Sequence, residues 1–107
     1  MTKRGLPHPE HLRLGQVLSG VRSQLIHELT LLTNAYPRTG PRAFPMQRVE
    51  DAIEALDDAR RALERFEVDE HPDVADVYDY YPDDEHRAVV EVPPKPGASA
   101  GRRPFGE

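Results

Sequence analysis

Val49-Glu50-Asp51-Ala52-Ile53-Glu54-Ala55-Leu56-Asp57-Asp58-Ala59-Arg60-Arg61-Ala62-Leu63-Glu64-Arg65-Phe66 is the stretch that decides the architecture. Val49, Leu56 and Leu63 recur every seven residues, and Ala52, Ala59 and Phe66 follow each of them by three, the a and d spacing of a helix that packs on another helix. Alternating large and small layers favour a close antiparallel partner. Ala55 and Ala62 at flanking positions and Ile53 on the other side broaden the seam beyond a two-stranded coiled coil. Glu50, Asp51, Glu54, Asp57, Asp58, Arg61, Glu64 and Arg65 form a solvated outer face, with weak i, i+4 pairs expected for Asp57 with Arg61 and Arg60 with Glu64. This helix is predicted to run from Pro45 to about Glu67.

The partner lies upstream. Leu18, Val21, Leu25, Leu29, Leu32 and Tyr36 step by three and four residues, the period of a straight helix stripe, and Leu14, Val17, Ile26 and Leu31 widen it. Pro9 suits a helix start and Tyr36-Pro37 ends the pattern, so the first helix is predicted over 9–35. Gly15, Ser19 and Ser23 make a second row of small side chains where another backbone can approach. Glycines at 15 and 20 each cost about 1 kcal/mol of helix propensity against alanine, which close packing or a bend would explain. Tyr36 to Phe44, with two prolines and Gly40, is long enough to reverse the chain into a helical hairpin.

Beyond the hairpin the character changes. Val68 to Glu85 holds eight Asp or Glu and no Lys or Arg. Val74, Val77, Tyr78 and Tyr81 could line a short third helix between Pro72 and Pro82, with Arg13 and Arg22 as its basic partners. Residues 86–92 carry strand propensity without a strand to pair with. Residues 93–107 read as a disordered Pro- and Gly-rich tail. The organisation is therefore a flexible 1–8, a hairpin over 9–67, an acidic segment over 68–92 and the tail, an all-α fold.

The chain has 107 residues, a net charge of −5 and 31% charged residues, enough for one small core and no large buried cleft. The charge is uneven: residues 1–42 hold six cations and two anions, and residues 43–92 hold five cations and sixteen anions. Zero cysteines exclude disulfides, thiolate metal sites and a cysteine nucleophile, and suit a reducing compartment. No run approaches the roughly 18 apolar residues of a membrane span, so the expectation is a cytoplasmic protein with no membrane partner.

Candidate chemistry is sparse. His8 and His11 with Glu10 between them resemble half a metal site, but no third ligand follows at a motif distance; His27-Glu28 and His71-Pro72-Asp73 could complete it only through the fold. The inward Glu-x-x-His pattern of di-iron bundles is missing, as is a calcium loop with its closing Glu, so no metal, cofactor or catalytic residue is expected. Arg38, Arg42 and Arg48 around the interhelix turn are the phosphate or nucleic-acid candidates. Asp76, Tyr78, Asp79, Tyr80 and Tyr81 are the acidic-aromatic candidates for docking on a partner protein. Two helices alone hide little area, so Leu18, Val21, Leu25, Leu29 and Leu32 with Val49, Ala52, Leu56, Ala59, Leu63 and Phe66 are read as core or oligomer interface, pairing two hairpins into a four-helix bundle. The expected function is non-enzymatic: a homodimeric helical protein that binds or regulates another protein. The alternatives are a nucleic-acid-associated regulator and, after it, a metal-dependent bundle enzyme.

Overall fold

The structure, a computed structural model, describes residues 3–94. The first helix, α1, spans His8–Ala35. Pro7 stands extended before it and Pro9 occupies its first turn, where the missing N–H would have had no partner. It stops because Tyr36 precedes Pro37: the proline ring disfavours a helical conformation one residue upstream, and Tyr36 is extended at φ −132°, ψ 154°. Gly40, at φ 86°, makes the reversal in a conformation that side chains resist. A 3₁₀ turn over Pro41–Ala43 then leads directly into α2, Phe44–Glu70. The second helix thus runs three residues past the expected Glu67, until His71 meets Pro72 and the same restriction ends it.

The two helices are antiparallel. Thr33 meets Met46, Arg22 meets Asp57 and His11 meets Glu70 along their length. The row of α2 that is buried is Met46, Ile53, Arg60 and Glu67. This is a heptad row, but it lies three residues upstream of the one the apolar pattern singles out. Val49, Leu56 and Leu63 flank the seam half-buried, and Ala52, Ala59 and Phe66 are exposed. The shift has a physical cause: Arg60 and Glu67 carry charge, so apolar periodicity passes over them, although each finds a place in the fold.

After α2 the chain turns and crosses back over α1 as a strap. The expected helix between Pro72 and Pro82 does not form; 3₁₀ turns over Val77–Asp79 and Asp84–His86 take its place. Asp76 caps the first turn by accepting from the Tyr78 N–H at 2.8 Å, while the Asp79 carboxylate accepts from the Asp76 N–H at 3.0 Å. The strap lies where α1 carries its small residues: a Cβ added to Gly15 would sit 1.9 Å from the Asp79 carbonyl oxygen, and one added to Gly20 would sit 2.1 Å from that of Ala88. Among the described residues there is no strand; residues 88–94 have no regular secondary structure and are tied to α1 by the Ala88 N–H donating to the Gln16 carbonyl at 3.0 Å. Residues 95–107 of the expected tail, and residues 1–2, lie outside the described residues.

Charge pairing also departs from expectation. Arg13 bonds Glu10 and Arg22 bonds Asp57, so neither reaches the acidic segment. On α2 the pairs are i, i+3, Arg60 with Asp57 and Arg61 with Asp58, because Asp57 turns toward the seam and Arg22. Among the described residues the buried apolar side chains are few: Ala43, Met46, Ile53, Tyr80 and Pro82. No helix of the described residues is long and apolar enough to cross a membrane.

Candidate functional site

The open end of the hairpin gathers three of the chain's five histidines with three carboxyl groups and a tyrosine. The antiparallel arrangement brings the start of α1, with His8 and His11, against the end of α2, with Glu67, Glu70 and His71. The strap delivers Asp79 and Tyr80 to the same place. None of this is visible as local spacing, since the partners are separated by 59 to 71 positions.

One half of the cluster is fully satisfied. Tyr80 is completely buried, and its hydroxyl lies 2.5 Å from His11 Nδ1, while His11 Nε2 lies 2.8 Å from Glu70 Oε1. An ionised Glu70 only accepts, so Nε2 carries the proton it donates and Nδ1 is left to accept from the Tyr80 hydroxyl. The His11 bond holds the Glu70 carboxyl below its ordinary range, with the Leu6 N–H adding a second donor. Burial pushes the Tyr80 hydroxyl up to about 12, with the charges of Glu67, Glu70 and Asp79 contributing. His71 Nε2 donates to the Leu6 carbonyl at 2.6 Å.

The other half is not satisfied. Glu67 is fully buried, and neither of its carboxylate oxygens has a hydrogen-bond partner. His8 Nε2 stands 3.3 Å from Glu67 Oε2 and 3.3 Å from Asp79 Oδ2. Burial, followed by a hydrogen bond that a protonated Glu67 makes with the Asp79 carboxylate and by that carboxylate's charge, raises the Glu67 carboxyl to about 8. Two trios of ligand-type atoms, His11 with Glu70 and His71 and His8 with Glu67 and Asp79, each lie within 4.8 Å of one another.

Beside this end the buried Arg60 holds the strap. Its guanidinium donates to the Tyr80 carbonyl at 2.8 Å and 3.2 Å, to Ser19 Oγ at 3.1 Å and to Asp57 at 3.2 Å, and it stacks on the Tyr81 ring at 4.5 Å. Arg22, bonded to Asp57 at 2.7 Å, holds that carboxyl below its usual range. All of these contacts lie on the strap side of the hairpin.

Among the described residues, nothing covers the opposite side. At 3.6 residues per turn, Leu14, Leu18, Val21, Leu25 and Leu32 fall on the α1 flank turned away from the strap. They adjoin the α2 flank of Val49, Leu56 and Leu63, with Ala52, Ala59 and Phe66 beyond it. The α1 members are half-buried, Ala52 and Ala59 are exposed, and Phe66 is 53% exposed. Gln24 and Glu28, bonded to each other at 2.6 Å, border the band.

The other sequence candidates are dispersed. Arg42 stacks on Tyr36 at 5.2 Å, Arg48 stacks on Phe44 at 5.4 Å and pairs with Asp51, and Arg38 is exposed. Of the acidic-aromatic segment, Tyr78 is 70% exposed and Asp76 is exposed, but Tyr80 and Asp79 face the chain's own helices and Tyr81 stacks on Arg60. Tyr80 is therefore unavailable to a partner, because its ring and hydroxyl are already spent on His11. His71 joins His8 and His11 with ring centroids 5.9 and 5.7 Å away, whereas His27 stays exposed on α1. Glu67 and Glu70 escape the sequence reading altogether; the signal that could have found them is their three-residue spacing at the helix end opposite His8 and His11. Compared with protein-family models, curated proteins and solved structures, the chain matches none.

Proposed function

We propose that the chain is a small, non-catalytic interaction protein whose working form is a homodimer, in which two hairpins pair their bare faces into a four-helix bundle and the dimer binds or regulates another protein. The observation that supports this is the apolar band opposite the strap, which none of the described residues covers. From Leu14 to Leu32 it runs about 27 Å at 1.5 Å per residue, and two helices side by side make it about 20 Å wide. That is on the order of 500 Å² per chain, or about 1,000 Å² for a symmetric pair, the lower bound for a specific interface. A second copy suits the face because each chain has the same deficit. With so few buried apolar side chains, both hairpins gain a core by pairing. Alanines at 52, 55, 59 and 62 would let the helices of two copies approach closely. Exposed Tyr78 and Asp76 on the strap stay free for another protein in such a dimer. The nucleic-acid alternative has less behind it, since two of the three arginines around the turn, Arg42 and Arg48, stack on neighbouring rings and the three do not converge on one site. A cytoplasmic setting belongs to the same proposal, supported by the cysteine-free composition.

Light scattering of the full chain at micromolar concentration is expected to give twice the 12.1 kDa chain mass. Ala59→Asp, which places a charge in the middle of the band, is expected to return it to the mass of one chain with its helix content retained. A wild-type mass of one chain throughout the micromolar range overturns the proposal.

A further inference from the structure

We propose that His8 Nε2, Glu67 and Asp79 form a binding site for one divalent transition-metal ion of the Zn²⁺ class, which ties the start of α1, the end of α2 and the strap together. The decisive feature is Glu67. A carboxylate removed from water with no partner for either oxygen is costly, and native structures rarely leave such a group unexplained. Both oxygens are fully buried and unpartnered here, facing an imidazole and a second carboxylate. Without a cation the two carboxyl groups coexist only by holding a proton between them, which an ion would displace, and His8, with two neighbours at 3.3 Å, is too far for a strong bond to either. A cation among the three groups satisfies all of them.

The neighbouring trio provides the contrast. His11 has both ring nitrogens engaged, by Tyr80 and Glu70, and His71 Nε2 is held by the Leu6 carbonyl. Those groups have no need of an ion, so one ion per chain is expected, not two. The donors are also held in place. Asp79 is fixed by the Asp76 N–H of its own capping turn, Glu67 by the buried seam, and His8 by the first turn of α1. One imidazole and two carboxylates favour Zn²⁺, Fe²⁺ or Mn²⁺ over Mg²⁺ or Ca²⁺, which prefer oxygen shells throughout. His8, with its side chain 25% exposed, leaves a way in from solvent.

The test uses the untagged full chain, stripped with chelator and titrated with Zn²⁺ by calorimetry, with Mg²⁺ as the hard-cation control. The expected result is one Zn²⁺ per chain and a thermal midpoint raised by roughly 10 °C or more at a hundredfold excess over Kd. His8→Ala and Asp79→Asn are each expected to weaken binding at least tenfold. His86→Ala, at an exposed histidine paired with Asp83 outside the site, is expected to leave binding unchanged. Because His8 is partly exposed, its variant tests the site even if a Glu67 variant were to unfold. The proposal is overturned by no stoichiometric Zn²⁺ binding, by binding that His8→Ala leaves intact, by loss of binding in His86→Ala, or by two ions per chain.

Discussion

Gly15→Ala sets two effects of opposite sign against each other, and the structure says which one wins. In the interior of α1 an alanine is favoured over glycine by about 1 kcal/mol, so on helix propensity alone the substitution stabilises. The added Cβ, however, would lie 1.9 Å from the Asp79 carbonyl oxygen, 2.9 Å from the Asp79 carbonyl carbon and 3.0 Å from the Tyr80 Cα. These are backbone atoms, which cannot swing aside as a side chain would. Restoring ordinary contact moves the strap outward by about 1.5 Å. A shift of that size breaks the 2.5 Å bond between Tyr80 and His11 and the 2.8 Å bond from Arg60 to the Tyr80 carbonyl, and it lifts the buried Tyr80 ring toward water. Two hydrogen bonds at about 1 kcal/mol each, and part of the roughly 2 kcal/mol for burying an aromatic ring, outweigh the propensity gain. Gly15→Ala is expected to lower stability by about 2 kcal/mol in urea denaturation. Gly20→Ala meets the strap equally closely, 2.1 Å from the Ala88 carbonyl oxygen, but there the chain is only half-buried and held by one backbone hydrogen bond and the bond from Arg87 to Ser23 at the surface. It can lift away, so Gly20→Ala is expected to change stability by under about 1 kcal/mol. A Gly15→Ala protein more stable than wild type by the propensity increment would refute the docked strap.

With chelator present, the Glu67 carboxyl is bound as its protonated form in the fold, at about 8 against 4.5 when unfolded. A carboxyl raised on folding contributes stability that is full below the unfolded value and is lost as pH rises. Stability should therefore fall between about pH 4.5 and 8, by on the order of 3 kcal/mol at pH 7, and Glu67→Gln should flatten that slope in denaturant melts across the range. Tyr80→Phe removes the donor that satisfies buried His11 Nδ1 while keeping the ring; a loss of about 1–3 kcal/mol is expected in the same melts, and an unchanged midpoint would mean that the hydroxyl is not bonded there.

Both helices were legible in the residues because their ends are written locally. Proline at 9 and at 45, and the Tyr36-Pro37 and His71-Pro72 steps, act within one turn, and the apolar period spans each element. Only the last turn of α2 was missed, since Val68 to Glu70 carries acidic residues that read as the start of a new segment. The row that packs between the helices was harder. Its members Met46, Ile53, Arg60 and Glu67 include two charges, and a charge is buried only where distant groups receive it, as the Tyr80 carbonyl, Ser19 and Asp57 receive Arg60. The apolar pattern therefore pointed one row aside, to Val49, Leu56 and Leu63 with Ala52, Ala59 and Phe66.

The charged cluster was invisible for a different reason. His8 and His11 carry half a site in plain view, but their partners lie 59 to 71 residues away and are assembled only by the hairpin's closure. The acidic segment, too, could be read as a helix, a partner-binding tether or a cover for the hairpin, because eighteen residues rich in Asp hold several weak preferences and no dominant one. By itself the sequence determined what short-range forces decide: two helices, the turn between them, and a row of small residues on α1 where a backbone could pass. The tertiary structure alone decided what occupies that row, which side of the hairpin stays bare, and that a buried Glu67 faces His8 and Asp79, because burial and charge pairing are properties of residues far apart in the chain brought together by packing.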